Sequence, residues 1–237
     1  MPRMARAVLP DAPHRITQRG IRRFNVFLDE EDRRTYLELF RGNCHQFGLR
    51  ICSYCLMTNH VHFVAIPKRM DSIWKTFHRC HSIYARRFNQ KYGLTGHLWQ
   101  GRPFSCVLDE THLWAAVRYV ELNPVRAHMV GRAEEYPWSS TRAHCGLGND
   151  PLLDPGWPPP KTIEDWKAWL LDDNDVTLER SIREHTFTGR PCGDDVFVRI
   201  VEQALHRSLA PKKPEPKPQK SGKDTEPALW ISDEIRM

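Results

Sequence analysis

Short apolar stretches alternate with longer amphipathic stretches along the first 130 residues. Alternation at 14–19 predicts a strand, followed by a turn at 20–23 and a short partner stretch at 24–27. Runs rich in β-branched and aromatic residues predict a strand pair at 49–57 and 60–66, and 103–108 predicts another strand. Apolar residues recur three and four positions apart at about 30–47, 72–92 and 110–120, each behind an aspartate suited to a helix N-cap. The order β-α-β-β-α-β-α predicts an α+β fold, a ferredoxin-like antiparallel sheet with helices on one face.

The chain after residue 130 has a different composition. Residues 131–160 are irregular and end in a proline-rich patch, and a small C-terminal helical extension is predicted from short helices at about 161–171, 175–187 and 194–208. Lysine and proline dominate from residue 210 onward, which is typical of disorder. The sequence therefore predicts three parts: a first domain at 1–130, an irregular and helical extension at 131–209, and a disordered tail at 210–237.

Charge is distributed unevenly along the 237 residues. Residues 1–108 carry 18 Lys and Arg against 7 Asp and Glu, a net +11, whereas the remainder carries 17 against 22, a net −5. A first half this basic favours a polyanionic partner, most plausibly nucleic acid, over a solvated basic surface without a partner. No apolar run is long enough to span a membrane, no secretory signal is recognisable, and the seven cysteines lack the spacing of a disulfide framework, so we expect a cytoplasmic, reduced protein.

Two histidines stand two positions apart in the third predicted strand. His60 and His62 project from the same face of that strand, and two imidazoles side by side form half of a divalent-metal site. The alternative is one satisfied core histidine beside an incidental one. Cys52 and Cys55 suggest a structural zinc site, but residues three apart on a regular strand face opposite sides, so we expect none.

A tyrosine and an asparagine complete the candidate chemistry. Tyr119 lies off the apolar seam of the third helix, and Asn123 follows within about one turn, either on the same helix or capping a new turn that begins at Pro124. From spacing alone, Tyr119 is also consistent with an ordinary helix-surface tyrosine. The chain contains neither a Gly-x-Ser-x-Gly elbow nor a phosphate-binding P-loop, which argues against a serine hydrolase and against ATP chemistry.

These residues lie in a set of motifs that resembles a known family, the REP-associated tyrosine transposases, which are HUH (histidine–hydrophobic–histidine) single-strand DNA transposases of the Y1 superfamily. The resemblance covers residues 1–145 most strongly and extends to about 208. The matching stretches are TQRG at 17–20, LMTNHVH at 56–62, GHLWQGR at 96–102, RYVELNPVRA at 118–127 and YPWSS at 136–140.

The resemblance implies both a reaction and a set of roles. It implies that residues 1–130 are the catalytic domain, that His60, His62 and Asn123 hold Mg²⁺ or Mn²⁺, and that Tyr119 is the nucleophile. Attack on a phosphodiester would give a 5′-phosphotyrosine and a free 3′ hydroxyl, and the retained bond energy would permit rejoining to another strand. The implied substrate is an imperfect palindromic hairpin with a short single-stranded guide. Two alternatives are a domesticated palindrome-binding regulator without catalysis and a related HUH replication or relaxase protein.

The chain departs from the family pattern at two places, one at its first strand and one in its tail. His14 and Arg15 stand where a Tyr-His pair is usual before the Val-Thr of the first strand, and we expect this difference to alter the contacts of that strand. The Lys/Pro tail has no family role that we assign, and a monomer is favoured over a homodimer.

Trp99, Phe104 and Trp138 are candidates for stacking on unpaired bases, although core packing is the simpler role for each. Predicted DNA-backbone contacts are Arg3, Arg6, Arg15, Arg19, Arg22, Arg23, Lys75, Arg79, Arg86, Arg87 and Arg102.

Overall fold

Four antiparallel strands form one sheet in the order β2-β3-β1-β4. The computed structural model describes residues 6–159, 162–172 and 175–209, so the predicted tail at 210–237 and Arg3 lie outside the described residues. The strands are β1 (His14–Arg19), β2 (Leu49–Met57), β3 (His60–Pro67) and β4 (Phe104–Val107). This order, with one helix after β1 and one after β3, is that of the ferredoxin-like sheet, which confirms the predicted fold class.

Two long helices cover the first face of the sheet. Helix α1 (Glu30–Phe47) begins at a capping box in which the Asp29 carboxylate accepts from the Asp32 backbone N–H, and it ends at Gly48 in the left-handed conformation. Helix α2 (Ser72–Tyr92) ends at Gly93 in the same way. Both helices pack on Phe63 of β3, whose ring stacks on that of Phe40 at 4.3 Å and meets that of Phe77 edge-on at 5.5 Å. This first face is an aromatic core.

The second face is covered by α3 (Glu110–Glu121) and by the region after residue 122. We expected helices on one face, and this holds for α1 and α2, whereas α3 packs on the opposite face. The reason is that β2 and β3 are apolar on both faces, so both faces must be shielded from water. The remaining helices are α4 (Asn123–Arg126), α5 (Thr141–His144), α6 (Trp166–Leu171), α7 (Val176–Thr188) and α8 (Asp195–Ala204).

The stretch predicted to pair with β1 is not a strand. Arg22 and Arg23 both adopt positive φ, 50° and 65°, and turn the chain away after a short 3₁₀ segment. Val26 and Phe27 are buried, and both backbone N–H groups donate to the carbonyl of Thr58. Their apolar character therefore reflects insertion into the first core, not strand pairing.

A bulge in β2 overturns the reasoning about its two cysteines. The register shifts between Ile51 and Ser53, and Cys52 and Cys55 consequently pack in the same apolar cluster on the second face. Burial raises the pKa of both thiols well above the ordinary value, which disfavours the thiolate that would bind zinc.

The helices of the extension form close to where the sequence predicted them, at α6, α7 and α8. Their buried side chains join the second core, where Ile182 of α7 packs with Val117 of α3. Within the described ranges, no helix is both long and apolar enough to cross a membrane. The division of the chain at residues 130 and 209 stays a prediction.

Candidate active site

The paired histidines lie on the second face of the sheet, as their spacing predicted. Val61 and Phe63 point into the aromatic core, and the rings of His60 and His62 stand 4.7 Å apart, nearly perpendicular. Burial, followed by the charge of Arg19, lowers the pKa of His60 to about 4, and burial also lowers that of His62. Both imidazoles are therefore neutral near pH 7, the form that binds a metal ion.

The two imidazoles differ in the group that meets Nδ1. In His60, Nδ1 lies 2.6 Å from Oδ1 of Asn59, an acceptor, so the proton resides on Nδ1 and the lone pair of Nε2 is available. In His62, Nδ1 lies 3.5 Å from Nη2 of Arg15, a group that can only donate. His60 thus has the hydrogen-bond partner typical of a metal-ligating histidine, and His62 has a cation there.

Tyr119 stands beside this pair. Helix α3 places its ring perpendicular to that of His62 with the centroids 6.0 Å apart. The guanidinium carbons of Arg15 and Arg126 lie 4.8 and 4.9 Å from the centroid of the same ring. The structure therefore brings Tyr119 and His62 together and surrounds the phenol with positive charge.

Arg15 carries a buried charge without a counterion. The residue is 2% exposed, and its Nη1 donates to Oγ1 of Thr186 on α7 at 2.8 Å. Its Nε has no hydrogen-bond partner, and no carboxylate of the described residues forms an ion pair with it. Burial accordingly lowers the pKa of its guanidinium. Arg126, in contrast, forms an ion pair with Glu179 of α7. A buried cation lacking a counterion is a place where an anion would be stabilised.

Asn123 is held against the end of α3. It opens α4, one residue before Pro124, and its Nδ2 donates to the backbone carbonyl oxygens of Tyr119 at 2.7 Å and Val120 at 3.3 Å. These bonds leave Oδ1 as the atom able to bind a cation. Within the described ranges, no three His, Cys, Asp or Glu side chains cluster suitably for a metal ion. A metal at the histidine pair would therefore need a third ligand of another kind, and an amide oxygen such as that of Asn123 is a group of that kind.

A buried carboxylate that the sequence reasoning missed anchors α3. Oε1 of Glu121 accepts from Ser140 Oγ and lies 2.6 Å from both that oxygen and Nδ1 of His144, while Oε2 accepts from Nε1 of Trp166 at 2.7 Å. The carboxylate ties the end of α3 to the extension. A signal was present, since Glu121 lies four residues after Val117, on the seam predicted to be buried.

The predicted DNA-backbone contacts fall into separate places. Arg15 and Arg19 share the face of the histidine pair, and Arg19 is opposite His60 in the strand register. Arg6 donates to the Pro103 carbonyl, and burial together with Arg102 lowers its pKa to about 10. Of the others, Arg22, Arg23, Arg79, Arg86, Arg87 and Arg102 are exposed, and Lys75 pairs with Asp71 at 2.6 Å.

The predicted stacking aromatics are engaged within the protein. Trp99 is buried and stacks on His81 with centroids 4.0 Å apart, and Phe104 contacts Phe187 of α7. Trp138 is half-buried and faces the guanidinium of Arg33. Packing therefore accounts for each of these rings. The exposed indole on α2 is instead Trp74, which the sequence reasoning did not single out.

A comparison with known protein families agrees with the resemblance that the sequence motifs carry. Residues 13–123 match the family described as "Transposase IS200 like". This match supports the resemblance to IS200-like (Y1) transposases and a transposase-type function.

Two solved structures are similar to this chain. A REP-associated tyrosine transposase bound to a REP hairpin shares 17% identity over 63% of this chain and 89% of that one, with a TM-score of 0.51, and so supports the fold. A putative transposase from Deinococcus radiodurans R1 shares 17% identity over 51% of this chain and 96% of that one, with a TM-score of 0.36. No curated protein matches the sequence.

Proposed function

We propose that this protein is a metal-dependent, REP-associated transposase that cleaves and rejoins single-stranded hairpin DNA through Tyr119. The observation that carries the proposal is the position of the Tyr119 ring, 6.0 Å from that of His62 and flanked by the guanidiniums of Arg15 and Arg126. A surface tyrosine needs none of these neighbours. A nucleophile that attacks an anionic phosphodiester benefits from all of them.

The proposed cleavage exchanges one phosphoester bond for another. The Tyr119 oxygen forms a bond to phosphorus, the bond from phosphorus to the 3′ oxygen breaks, the phenol loses its proton and the departing oxygen gains one. The products are a 5′-phosphotyrosine and a free 3′ hydroxyl. Attack by a 3′ hydroxyl on the phosphotyrosine reverses the exchange and joins two strands without an external energy source.

The residues at the histidine pair fit a divalent cation. His60 and His62 offer neutral imidazoles, and Asn123 offers an amide oxygen, so these three would hold Mg²⁺ or Mn²⁺. Such an ion polarises the phosphoryl oxygens and favours the leaving 3′ oxygen. Nδ1 of His62 has only a long 3.5 Å contact with Arg15, so this imidazole would be able to hold the ion without breaking a strong hydrogen bond.

The flanking arginines supply fixed positive charge. Arg15 cannot rearrange readily, because Thr186 holds its Nη1 and its side chain is buried. Its charge is therefore oriented before a substrate arrives, which is the condition under which an electrostatic contact lowers a reaction barrier most. Arg126 contacts the same Tyr119 ring, and its own position is set by Glu179.

The proposed substrate follows from charge and from the similar structure that holds a REP hairpin. A first half with a net charge of +11 favours a nucleic acid, and the exposed arginines near β1 and on α2 suit backbone contacts. Monomeric action and a cytoplasmic location remain predictions.

The test is a covalent adduct. Labelled single-stranded hairpin DNA from the flanks of the gene is incubated with the protein and Mn²⁺, then resolved on a denaturing gel. We expect a protein–DNA adduct with the wild type and none with Tyr119→Phe, which should still bind the hairpin. Tyr92→Phe is the matched control, because Tyr92 is also a helix tyrosine but bonds Asp29 and Asp32 away from the site. Tight binding without any adduct would instead indicate a regulator without catalysis.

A further inference from the structure

A groove of about 1010 Å³ runs between α2 and the irregular segment 94–103. Helix α2 covers the first face of the sheet, so the groove is separate from the histidine pair, which lies on the second face. The segment is held to the ends of β1 and α2, since Gln100 N–H donates to the Arg19 carbonyl and Asn89 donates to that of Gly96. The two walls are therefore fixed relative to the sheet.

Flat aromatic surfaces line this groove. The indole of Trp74 is 51% exposed and stacks on the ring of His78, one helical turn later, with the centroids 5.1 Å apart and the planes within 8°. Deeper in the groove, the buried pair of His81 and Trp99 is stacked in parallel. An exposed planar pair at the edge of a groove is a surface on which another aromatic ring can stack.

The charge of the lining has one sign. Arg86 and Arg102 contribute cations, and no aspartate or glutamate is among the described residues that line the groove. The cleft on the other flank of α2 differs, because Glu31 and Asp32 line it together with Arg87. The groove thus suits a ligand that combines planar rings with negative charge, which describes a nucleotide chain.

Two buried polar atoms in the lining have no hydrogen-bond partner. Gln18 is 4% exposed and donates from Nε2 to the Gly101 carbonyl at 2.8 Å, while its Oε1 is unpaired. Nε1 of Trp99 is also unpaired among the described residues. An unpaired acceptor and an unpaired donor at the wall of one groove match the edge of a base, which presents both kinds of group.

We infer that this groove binds unpaired nucleotides of single-stranded DNA, with the Trp74–His78 pair as the stacking surface, Arg86 on the backbone and Gln18 at a base edge. The inference rests on the proposed function, because it deepens the description of the DNA substrate. The inference also connects the groove with the candidate active site through β1. Side chains alternate along this strand, so Gln18 faces the groove and the next residue, Arg19, lies on the face of His60.

The test compares two DNAs and two pairs of variants. Dissociation constants are measured by fluorescence anisotropy at one salt concentration for a hairpin with an unpaired flank and for the same hairpin with blunt ends. Trp74→Ala should weaken binding of the flanked hairpin about fivefold or more and leave the blunt hairpin unchanged, whereas Trp74→Phe, which keeps a ring, should lose little. Abasic nucleotides in the flank should abolish the difference between Trp74→Ala and the wild type.

Arg86 and Arg87 form the matched pair, since they are adjacent exposed arginines on α2 and only Arg86 lines the groove. Arg86→Ala should weaken binding of the flanked hairpin, and Arg87→Ala should have a smaller effect. Equal losses on both DNAs for Trp74→Ala, or no loss on either, would overturn the groove assignment. The adduct assay on Tyr119 tests the proposed cleavage independently of the groove. A normal adduct together with binding that does not depend on the flank would reject only the groove as a binding site. Flank-dependent binding without an adduct would reject only the cleavage through Tyr119.

Discussion

Replacing Arg15 by methionine should make the folded protein no less stable while it removes most of the DNA cleavage. Burying a charge without a counterion costs several kcal/mol of folding free energy even after local relaxation. The visible compensations are the 2.8 Å hydrogen bond from the charged guanidinium to Thr186, worth about 1.5–3 kcal/mol, and the contact with the Tyr119 ring, worth about 1–2 kcal/mol. The net contribution of the guanidinium to stability is therefore about zero or unfavourable.

Methionine fills a similar volume and introduces no polar group. Thr186 stays satisfied in Arg15→Met, because its hydroxyl also donates to the carbonyl of Ile182. We expect a midpoint of thermal unfolding that is equal to the wild type or higher by about 2–4 °C for each kcal/mol gained. The rate of adduct formation should fall about 100-fold or more, because a preoriented charge at the reacting phosphate is lost.

Both quantities are measured on the same preparations, by thermal unfolding followed by circular dichroism and by the denaturing-gel assay under single-turnover conditions. Arg118→Met is the control: Arg118 precedes Tyr119 on α3, but its guanidinium lies over the ring of Trp169 and pairs with Asp172. It should keep the wild-type adduct rate. A midpoint for Arg15→Met lower by more than about 5 °C would show that the arginine is a structural residue and would refute the reasoning.

Two further predictions concern the cores. Burial lowers the pKa of His81 from 6.5 to about 3, so between those pH values only the unfolded chain binds a proton at this residue. The contribution of neutral His81 to the free energy of unfolding is therefore complete above pH 6.5 and falls by about 1.4 kcal/mol for each pH unit below it. Denaturant titrations at several pH values should show a smaller loss of stability at low pH for His81→Gln than for the wild type. Glu121→Ala leaves the donors on Ser140, His144 and Trp166 without their acceptor. We therefore expect the free energy of unfolding to fall by about 3–5 kcal/mol and the midpoint of thermal unfolding to fall by about 10 °C. A midpoint equal to that of the wild type would contradict the anchoring role.

The sequence predicted the sheet because its signals are local. Alternation in 14–19 and the apolar runs at 49–57 and 60–66 reflect burial that each strand experiences along its own length, and the spacing of His60 and His62 sets their shared face. The same local signals misassigned residues 24–27, where burial without pairing produces a similar pattern. The bulge between Ile51 and Ser53 has no local signature, and it reversed the geometry expected for Cys52.

The surroundings of Tyr119 depended on contacts that spacing does not encode. Thr186 is 171 residues from Arg15 along the chain, and no periodicity connects them. The contact between Arg126 and Tyr119 was easier to foresee, since a spacing of seven residues corresponds to two helical turns. Pro124 lies between the two residues, however, and made a continuous helix uncertain. Trp74 looked like any apolar position of α2 until its exposure was visible.

Helix α7 supplies Thr186 to Arg15 and Glu179 to Arg126, yet it lies beyond the segment 13–123 that carries the family signature. Under the proposed function, the residues that hold the surroundings of Tyr119 in place therefore extend beyond the segment that matches the family. A substitution in α7 would then act on the phenol through the arginine that it holds, so we expect the two regions to covary among relatives. Chains with the same signature and different extensions should differ in rate, and a hybrid that joins this signature to another extension should recover its activity by restoring a threonine at position 186.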